Sequence, residues 1–144
     1  TDHMTLEEKQ QEIIEEFELF DDWMDKYNYL IELSKDLPDM PPEHKTEQNL
    51  IDGCQSKVWL HAELNDGKIE FAADSDAIIT KGIIALLIDV LSGRSPQEIK
   101  DADLYFIDKI GLKENLSPTR SNGLVAMINK IKAYAMAYDA KQNQ

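Results

Sequence analysis

Residues 77–91 form a stretch that is apolar on nearly every side, with three strongly polar residues among its fifteen positions. A helix without a polar face has to be surrounded by other elements, so this stretch predicts a central core helix. Ser75 or Asp76 is the expected N-cap, and Ser92-Gly93 is expected to end the helix. Its longest apolar run, residues 82–88, is far shorter than the roughly 20 residues of a membrane span, so no membrane span is predicted.

The segment before this helix has apolar residues at every second position. The even-numbered positions of residues 57–64 are apolar and the odd-numbered positions are mainly polar or aromatic, which is typical of a half-buried strand. Asn65-Asp66-Gly67 supplies a turn, and residues 68–73 return as a second strand, so a β-hairpin is predicted. Two strands alone are marginal in water, and residues 49–52 are a possible third strand.

Helical patterns come before the hairpin. Thr5 and Glu8 have the spacing of a capping box, and apolar residues then recur every three or four positions. Asp21 or Asp22 is the expected N-cap of a second amphipathic helix, which Pro38 ends. The chain is therefore expected to open with a helical hairpin.

The second half of the chain is also mainly helical. Three prolines within residues 38–46 predict an extended loop ahead of the hairpin. Ser95 begins a second capping box and a short helix, residues 104–110 predict another, and a long amphipathic helix follows Ser117-Pro118. The order of helices, strands and helices predicts an α+β domain, with a small antiparallel sheet and helices packed on one face.

Size and charge restrict the class of protein. The chain has 144 residues, and residues 4–144 are expected to form one domain, with residues 1–3 a cloning remnant ahead of Met4. The formal net charge is −13, which opposes binding to nucleic acid or to anionic membranes. No secretory signal is recognisable, so a cytoplasmic location is expected.

Cys54 is the chain's one cysteine, so a disulfide within the chain, an all-cysteine zinc site and a cysteine-held iron–sulfur cluster are excluded. A lone cysteine is often a small buried hydrophobe. Cys54, however, lies between Gly53 and Gln55 in a turn-forming segment rather than in an apolar run. This position favours a reactive thiol over one that only fills space.

Other chemistry has less support. A cysteine hydrolase needs a histidine hydrogen-bonded to the thiol. If the segment between them is extended, His61 should lie about 20 Å from the Cys54 thiol. The distance from His44 to the thiol does not follow from the sequence. Cys54 with His61 matches no usual zinc spacing, and the carboxylates are dispersed as on solvated helix faces. No Gly-rich phosphate loop is present. We therefore expect neither a metal nor a cofactor.

Five separated segments carry a specific resemblance. They are YNYLIEL at residues 27–33 with the following Leu37-Pro38, GCQSKVWL at 53–60, ADSDA at 73–77, KGIIA at 81–85 and LSPTRSNGL at 116–124. In order and spacing these segments resemble the SufE family of sulfur-acceptor proteins, over nearly the whole chain. One departure is Ala73, where the family more often has glycine.

The resemblance implies both a fold and a function. The implied fold is SufE/IscU-like, with the cysteine on a loop at one end of a small antiparallel sheet. The implied function is to take sulfane sulfur from the persulfide of a SufS-type, pyridoxal-phosphate-dependent cysteine desulfurase onto Cys54, and to pass it to a Suf-type iron–sulfur scaffold. A carrier of one sulfur atom needs one thiol, which agrees with the composition.

The resemblance also implies roles for individual residues. The arginine that matches Arg120 lies near the cysteine, and we hypothesise that Arg120 favours the thiolate or persulfide anion. Asp76 matches a residue of a loop implicated in docking to the desulfurase, and Asp74 beside it is assigned to the same surface. From the residues alone, Arg120 suits a surface ion pair, while Asp74 and Asp76 suit a strand end and a helix cap. The segment around the thiol completes the expected partner-binding set with Gly53, Gln55 and Ser56.

A persulfide reacts readily, so we expect a mostly buried resting thiol, with Leu50, Ile51 and Val58 lining a pocket beside it. The main alternative is an acidic interaction module without chemistry, in which the N-terminal helices dock a basic partner and Cys54 is structural.

Overall fold

A computed structural model describes residues 4–142, so the expected cloning remnant at residues 1–3 lies outside the described residues. Two strands and six α-helices are described in this range, joined by loops and by three short 3-10 turns at Pro42–His44, Glu47–Asn49 and Lys113–Asn115. In chain order the elements are α1 (Leu6–Glu18), α2 (Trp23–Asp36), β1 (Val58–Asn65), β2 (Lys68–Ser75), α3 (Ile78–Leu91), α4 (Pro96–Lys100), α5 (Phe106–Lys109) and α6 (Pro118–Gln142).

Helix α3 is the central helix that the apolar stretch predicts. Every residue from Gly82 to Ile88 is buried, as are Val90 and Leu91. The expected cap is wrong, because the N-cap is Ala77 and no side chain caps the helix. Neither expected residue is free to cap α3. Ser75 is the last residue of β2, and the Asp76 carboxylate accepts the N–H of Lys57, the residue before β1.

Strands β1 and β2 form the predicted antiparallel hairpin, in register from Val58 opposite Ser75 to Asn65 opposite Lys68. The two linking residues, Asp66 and Gly67, have φ angles of 52° and 79°, which fit the type I′ turn that follows strand twist. One face of the hairpin is buried in the hydrophobic core through Val58, Leu60, Ala62, Ile69, Phe71 and Ala73.

Helices cover this buried face. From α6, the Tyr134 and Tyr138 hydroxyls donate hydrogen bonds to the carbonyl oxygens of Leu60 (3.5 Å) and Ala62 (3.2 Å). The predicted α+β fold is confirmed. The possible third strand at residues 49–52 is reduced to an isolated bridge between Leu50 and Trp59, because the chain turns away after Ile51.

Helices α1 and α2 form the predicted N-terminal pair. The Thr5 and Glu8 capping box is present, and the Asp22 carboxylate caps α2 by accepting the Asp25 N–H. Helix α2 packs closely on α3 at Gly82, where an added Cβ would lie 2.3 Å from the Leu30 carbonyl oxygen.

The remaining helices follow the predicted order. Ser95 caps α4 by accepting the Glu98 N–H, and α5 is shorter than the predicted residues 104–110. Ser117 accepts the Arg120 N–H at the start of α6. None of the helices within residues 4–142 combines the length and apolar character that crossing a bilayer requires.

Candidate functional site

Cys54 lies on the loop between the 3-10 turn Glu47–Asn49 and β1, and this loop is tied down near both ends. At one end the Ile51 N–H donates to the Val58 carbonyl (2.8 Å). At the other, Asp76 holds Lys57 twice: its N–H donates to the Lys57 carbonyl (3.2 Å), and its carboxylate accepts the Lys57 N–H (3.0 Å). The Cys54 segment is therefore a short arch between fixed points.

Two glycines let α6 approach this arch. Gly53 has a φ of 93°, a conformation that side chains rarely tolerate, and an added Cβ there would lie 3.3 Å from Ala126 of α6. Gly123 faces the cysteine directly, and its carbonyl oxygen lies 3.7 Å from Cys54 Sγ, within reach of an S–H hydrogen bond. Small residues thus lie at the two closest approaches given by these glycines, Gly53 against Ala126 and Gly123 against Cys54.

A pocket of about 70 Å³ opens beside the thiol. Its lining comes from the arch (Cys54, Gln55, Ser56), from α3 (Thr80, Ile83) and from α6 (Thr119, Arg120, Gly123, Met127). The expectation that Leu50, Ile51 and Val58 line it is wrong, since Ile51 and Val58 are buried in the core and Leu50 pairs with Trp59. Cys54 itself is half-buried, less covered than the mostly buried thiol expected from the sequence.

Burial raises the pKa of the Cys54 thiol. The resting side chain is therefore mainly a protonated thiol near neutral pH. Arg120 is the one charged residue of the pocket lining, and its side chain is exposed. The guanidinium is therefore open to solvent at the pocket mouth, and solvent screens its charge.

Asp74 lies outside this pocket and is fully engaged. Its carboxylate pairs with Lys45 (2.7 Å) and Lys81 (3.2 Å). Burial alone would raise the pKa of Asp74, but the hydrogen bonds from Lys45, the Ser75 N–H and Lys81 together lower it. Asp74 therefore joins the proline-containing loop, β2 and α3, and Asp76 holds the arch, so both support the site from outside the pocket.

The predicted site residues left out five members of the pocket lining: Thr119 and Gly123 near the start of α6, and Thr80, Ile83 and Met127. Thr80, Ile83 and Met127 are buried. Their helical positions on α3 and α6 predict that they face inward. No sequence signal shows which inward residues of separate helices meet one another, because that depends on how the helices cross.

His44 and His61 lie outside the lining of the thiol pocket. His44 stacks on His61, with ring centroids 3.8 Å apart, and His61 Nε2 lies 3.0 Å from Glu63 Oε1. Among residues 4–142 the hydrogen-bond partner of Cys54 Sγ is a backbone carbonyl rather than a base. The arrangement that a cysteine hydrolase needs is therefore not formed by these residues.

Comparison with known proteins adds independent findings. Residues 11–135 match the family model of SufE, described as an Fe-S metabolism associated domain. The chain is 43% identical over 129 residues to an uncharacterized SufE-like protein of Rhizobium meliloti, with 86% of this chain and 92% of that protein covered. A similar protein of Rhizobium etli is 42% identical over 129 residues, with 86% and 87% covered.

A solved structure shares the fold. The solution structure of a hypothetical protein from Thermus thermophilus superposes with a TM-score of 0.74 at 25% sequence identity. The match covers 90% of this chain and 94% of the other. The overall fold of this chain is therefore one that a solved structure also has.

Proposed function

Because the chain belongs to the SufE family, whose domain is associated with Fe–S metabolism, we propose that it is a sulfur acceptor that carries persulfide sulfur on Cys54. The donor is the persulfide of a SufS-type, pyridoxal-phosphate-dependent cysteine desulfurase. By unloading the donor the protein stimulates the desulfurase, and it then delivers the sulfur to a Suf-type iron–sulfur scaffold in the cytoplasm.

The chemistry is a pair of thiol exchanges. Cys54 first loses its proton to solvent, and the thiolate attacks the outer sulfur of the donor persulfide. The donor S–S bond breaks, the donor cysteine leaves as a thiolate, and Cys54 becomes a persulfide. Delivery repeats the exchange: a thiolate of the acceptor attacks the outer sulfur on Cys54, and the Cys54 thiolate leaves. No external oxidant or reductant is consumed.

The observation that carries the proposal is the position of the chain's one thiol in a small pocket at the contact of three elements. A thiol that only filled space would lie within the core, whereas Cys54 is half-buried on an arch whose neighbours Gly53 and Gln55 are exposed. Partial cover also suits a carrier, since a persulfide has to survive transit and still be reached by its partner.

The raised thiol pKa fits the same cycle. A protonated resting thiol resists adventitious oxidation, because the thiolate is the reactive form. Docking of the desulfurase has to uncover the sulfur, and we assign the contact surface to Gly53, Gln55 and Ser56 with Asp74 and Asp76 behind them. Arg120 at the pocket mouth stabilises the anionic sulfur as it forms.

The proposal is tested by adding the protein to a SufS-type desulfurase with cysteine and a reductant, and by measuring alanine formation. The native chain should accelerate turnover, and Cys54→Ser should not. Val125→Ser is the matched control, since it introduces serine on the exposed side of α6 outside the pocket, and it should accelerate turnover like the native chain.

Equal acceleration by Cys54→Ser would overturn the proposal. It would favour the acidic interaction module, in which the protein acts by docking alone and the cysteine is structural.

A further inference from the structure

Three potential metal ligands meet on the exposed face of the β-hairpin. They are His44, His61 and Glu63, and one ligand atom from each lies within 4.8 Å of the others. Both imidazoles are half-buried and Glu63 is exposed, so the group is accessible from solvent on one side. The proposed sulfur chemistry uses none of these residues.

The fold gives each of the three a fixed origin. His61 and Glu63 are alternate residues of β1, so they point to the same face, while Ala62 between them is buried on the other. His44 ends the 3-10 turn Pro42–His44, and the Asn49 side chain holds that turn by donating to the His44 carbonyl (2.7 Å).

Neighbouring charges favour a cation at this place. Glu70 lies opposite Glu63 in the strand register and adds a second carboxylate to the same face. The nearby ammonium of Lys45 is paired with Asp74 at 2.7 Å, so its charge is largely compensated. Two imidazoles and a carboxylate therefore stand in a locally negative setting.

We propose that His44, His61 and Glu63 form a binding site for a divalent transition-metal ion of the zinc class. Two histidines and one glutamate are a ligand set known for zinc, with the fourth position left to water. Imidazole nitrogen also selects against Mg²⁺ and Ca²⁺, which prefer sites made entirely of oxygen.

Binding requires a local change in the two rings. A ring nitrogen binds a metal through a lone pair in the ring plane, and the planes of His44 and His61 are stacked within 15° of parallel. Two such rings cannot direct their lone pairs to one ion, so the stack has to open by side-chain rotation when metal enters. The ion would then fasten the proline-containing loop to β1.

The test is titration of the full chain with Zn²⁺, using a competing chromophoric chelator, and with Co²⁺, whose visible absorption reports coordination. Both titrations use a Cys54→Ser, His3→Gln background, so that other thiol and imidazole ligands do not contribute.

We expect one equivalent of metal ion to bind per chain. His44→Gln, His61→Gln and Glu63→Gln should each weaken affinity at least about tenfold, because losing even an outer-shell partner of a metal ligand costs about 10- to 100-fold. Glu70→Gln, which removes a neighbouring charge but no ligand, should change affinity by no more than about threefold.

If Glu70→Gln weakened metal affinity as much as the three ligand variants, the proposal would be overturned. Such a result would show that the metal ion is attracted by the negative charge of the surface and not held by specific ligands. A second measurement needs no substitution at the site. One equivalent of Zn²⁺ should shift the ring ¹⁵N resonances of His44 and His61 together, and unchanged resonances at saturation would also overturn the proposal.

Discussion

At the scale of single residues, the Cys54 side chain is half-buried, and its described hydrogen-bond partner is a backbone carbonyl rather than a basic side chain. Its S–H points to the Gly123 oxygen, an acceptor that favours the protonated form. Under the proposed function, activation therefore has to come from the docked desulfurase, either by exposing the sulfur to water or by supplying hydrogen-bond donors around it. We therefore expect the resting thiol to react slowly with oxidants, and a persulfide at the same position to be partly shielded.

The raised thiol pKa makes a prediction about alkylation. The rate of Cys54 with iodoacetamide, measured against pH, should reach its midpoint at higher pH in the native protein than in urea, because burial disfavours the thiolate only in the folded chain. At neutral pH the native rate should consequently be the lower one. A native midpoint equal to or below that of the unfolded chain would contradict this description of the pocket.

Arg120 makes a second prediction. Arg120→Ala should slow single-turnover sulfur transfer from a loaded desulfurase by about two- to fivefold, since one solvent-screened charge at the pocket mouth contributes modestly. Lys113→Ala is the matched control, because it removes the same charge from an exposed turn outside the pocket, and it should leave the rate unchanged. Equal rates for Arg120→Ala and the native chain would remove Arg120 from the mechanism.

At the scale of elements, the site depends on contacts that hold separate segments together. Asp74 joins a loop, a strand and a helix through Lys45 and Lys81, and Asp76 joins the arch to the end of β2. We therefore expect substitutions of the two aspartates to act on the proposed sulfur transfer through the geometry of the support as well as through any contact with the partner.

Asp74→Asn should lower the free energy of unfolding by about 1–3 kcal/mol at pH 7, as expected for losing charge-assisted hydrogen bonds at a well-covered carboxylate. Because the folded state lowers the pKa of Asp74, its stabilisation is present above the unfolded pKa of about 4 and is lost as pH falls below it. The difference between native and variant in urea unfolding should therefore shrink toward pH 3. Glu70→Gln on the same strand is the control. A difference that persists undiminished in acid would contradict the ion-pair assignment.

Two glycines inside helices make opposite predictions. Gly82→Ala should destabilise the fold by about 1–3 kcal/mol despite a helix-propensity gain of up to about 1 kcal/mol, because its Cβ would collide with the Leu30 carbonyl at 2.3 Å. Gly123→Ala should not destabilise it, since that Cβ meets Cys54 Sγ at 3.5 Å, an ordinary contact.

Gly123→Ala should instead slow sulfur loading, because the added methyl occupies space beside the reacting sulfur. Urea unfolding and single-turnover transfer separate the two effects. A destabilised Gly123→Ala, or a stable Gly82→Ala, would show that the helix contacts differ from those described.

At the scale of the whole molecule, periodicity was sufficient to predict the order of elements. The 3.6-residue and two-residue patterns identified the main helices and the hairpin, and the Asp66-Gly67 turn fixed the strand register. The prediction that Ser75 or Asp76 caps α3 was wrong, because both residues are engaged at the paired ends of the hairpin. N-cap preferences of single residues do not show such contacts between segments.

The site was predictable only in part, for the same reason. The local sequence pointed to Cys54 and the resemblance to Arg120, and both line one pocket with Gln55 and Ser56, while the chemical roles assigned to them stay predictions. Thr80 and Met127 come from two separate helices, and His44 meets His61 across seventeen residues of loop and strand. Such meetings depend on packing between elements, which a single sequence does not display.

The central claim is that Cys54 carries one sulfur atom, and intact-mass analysis tests it most directly. After incubation with a SufS-type desulfurase and cysteine, without added reductant, the native protein should gain the mass of one sulfur, lose it on treatment with dithiothreitol, and show no gain as Cys54→Ser. A native mass that stays unchanged beside an active desulfurase, or a gain that survives in Cys54→Ser, would contradict the account.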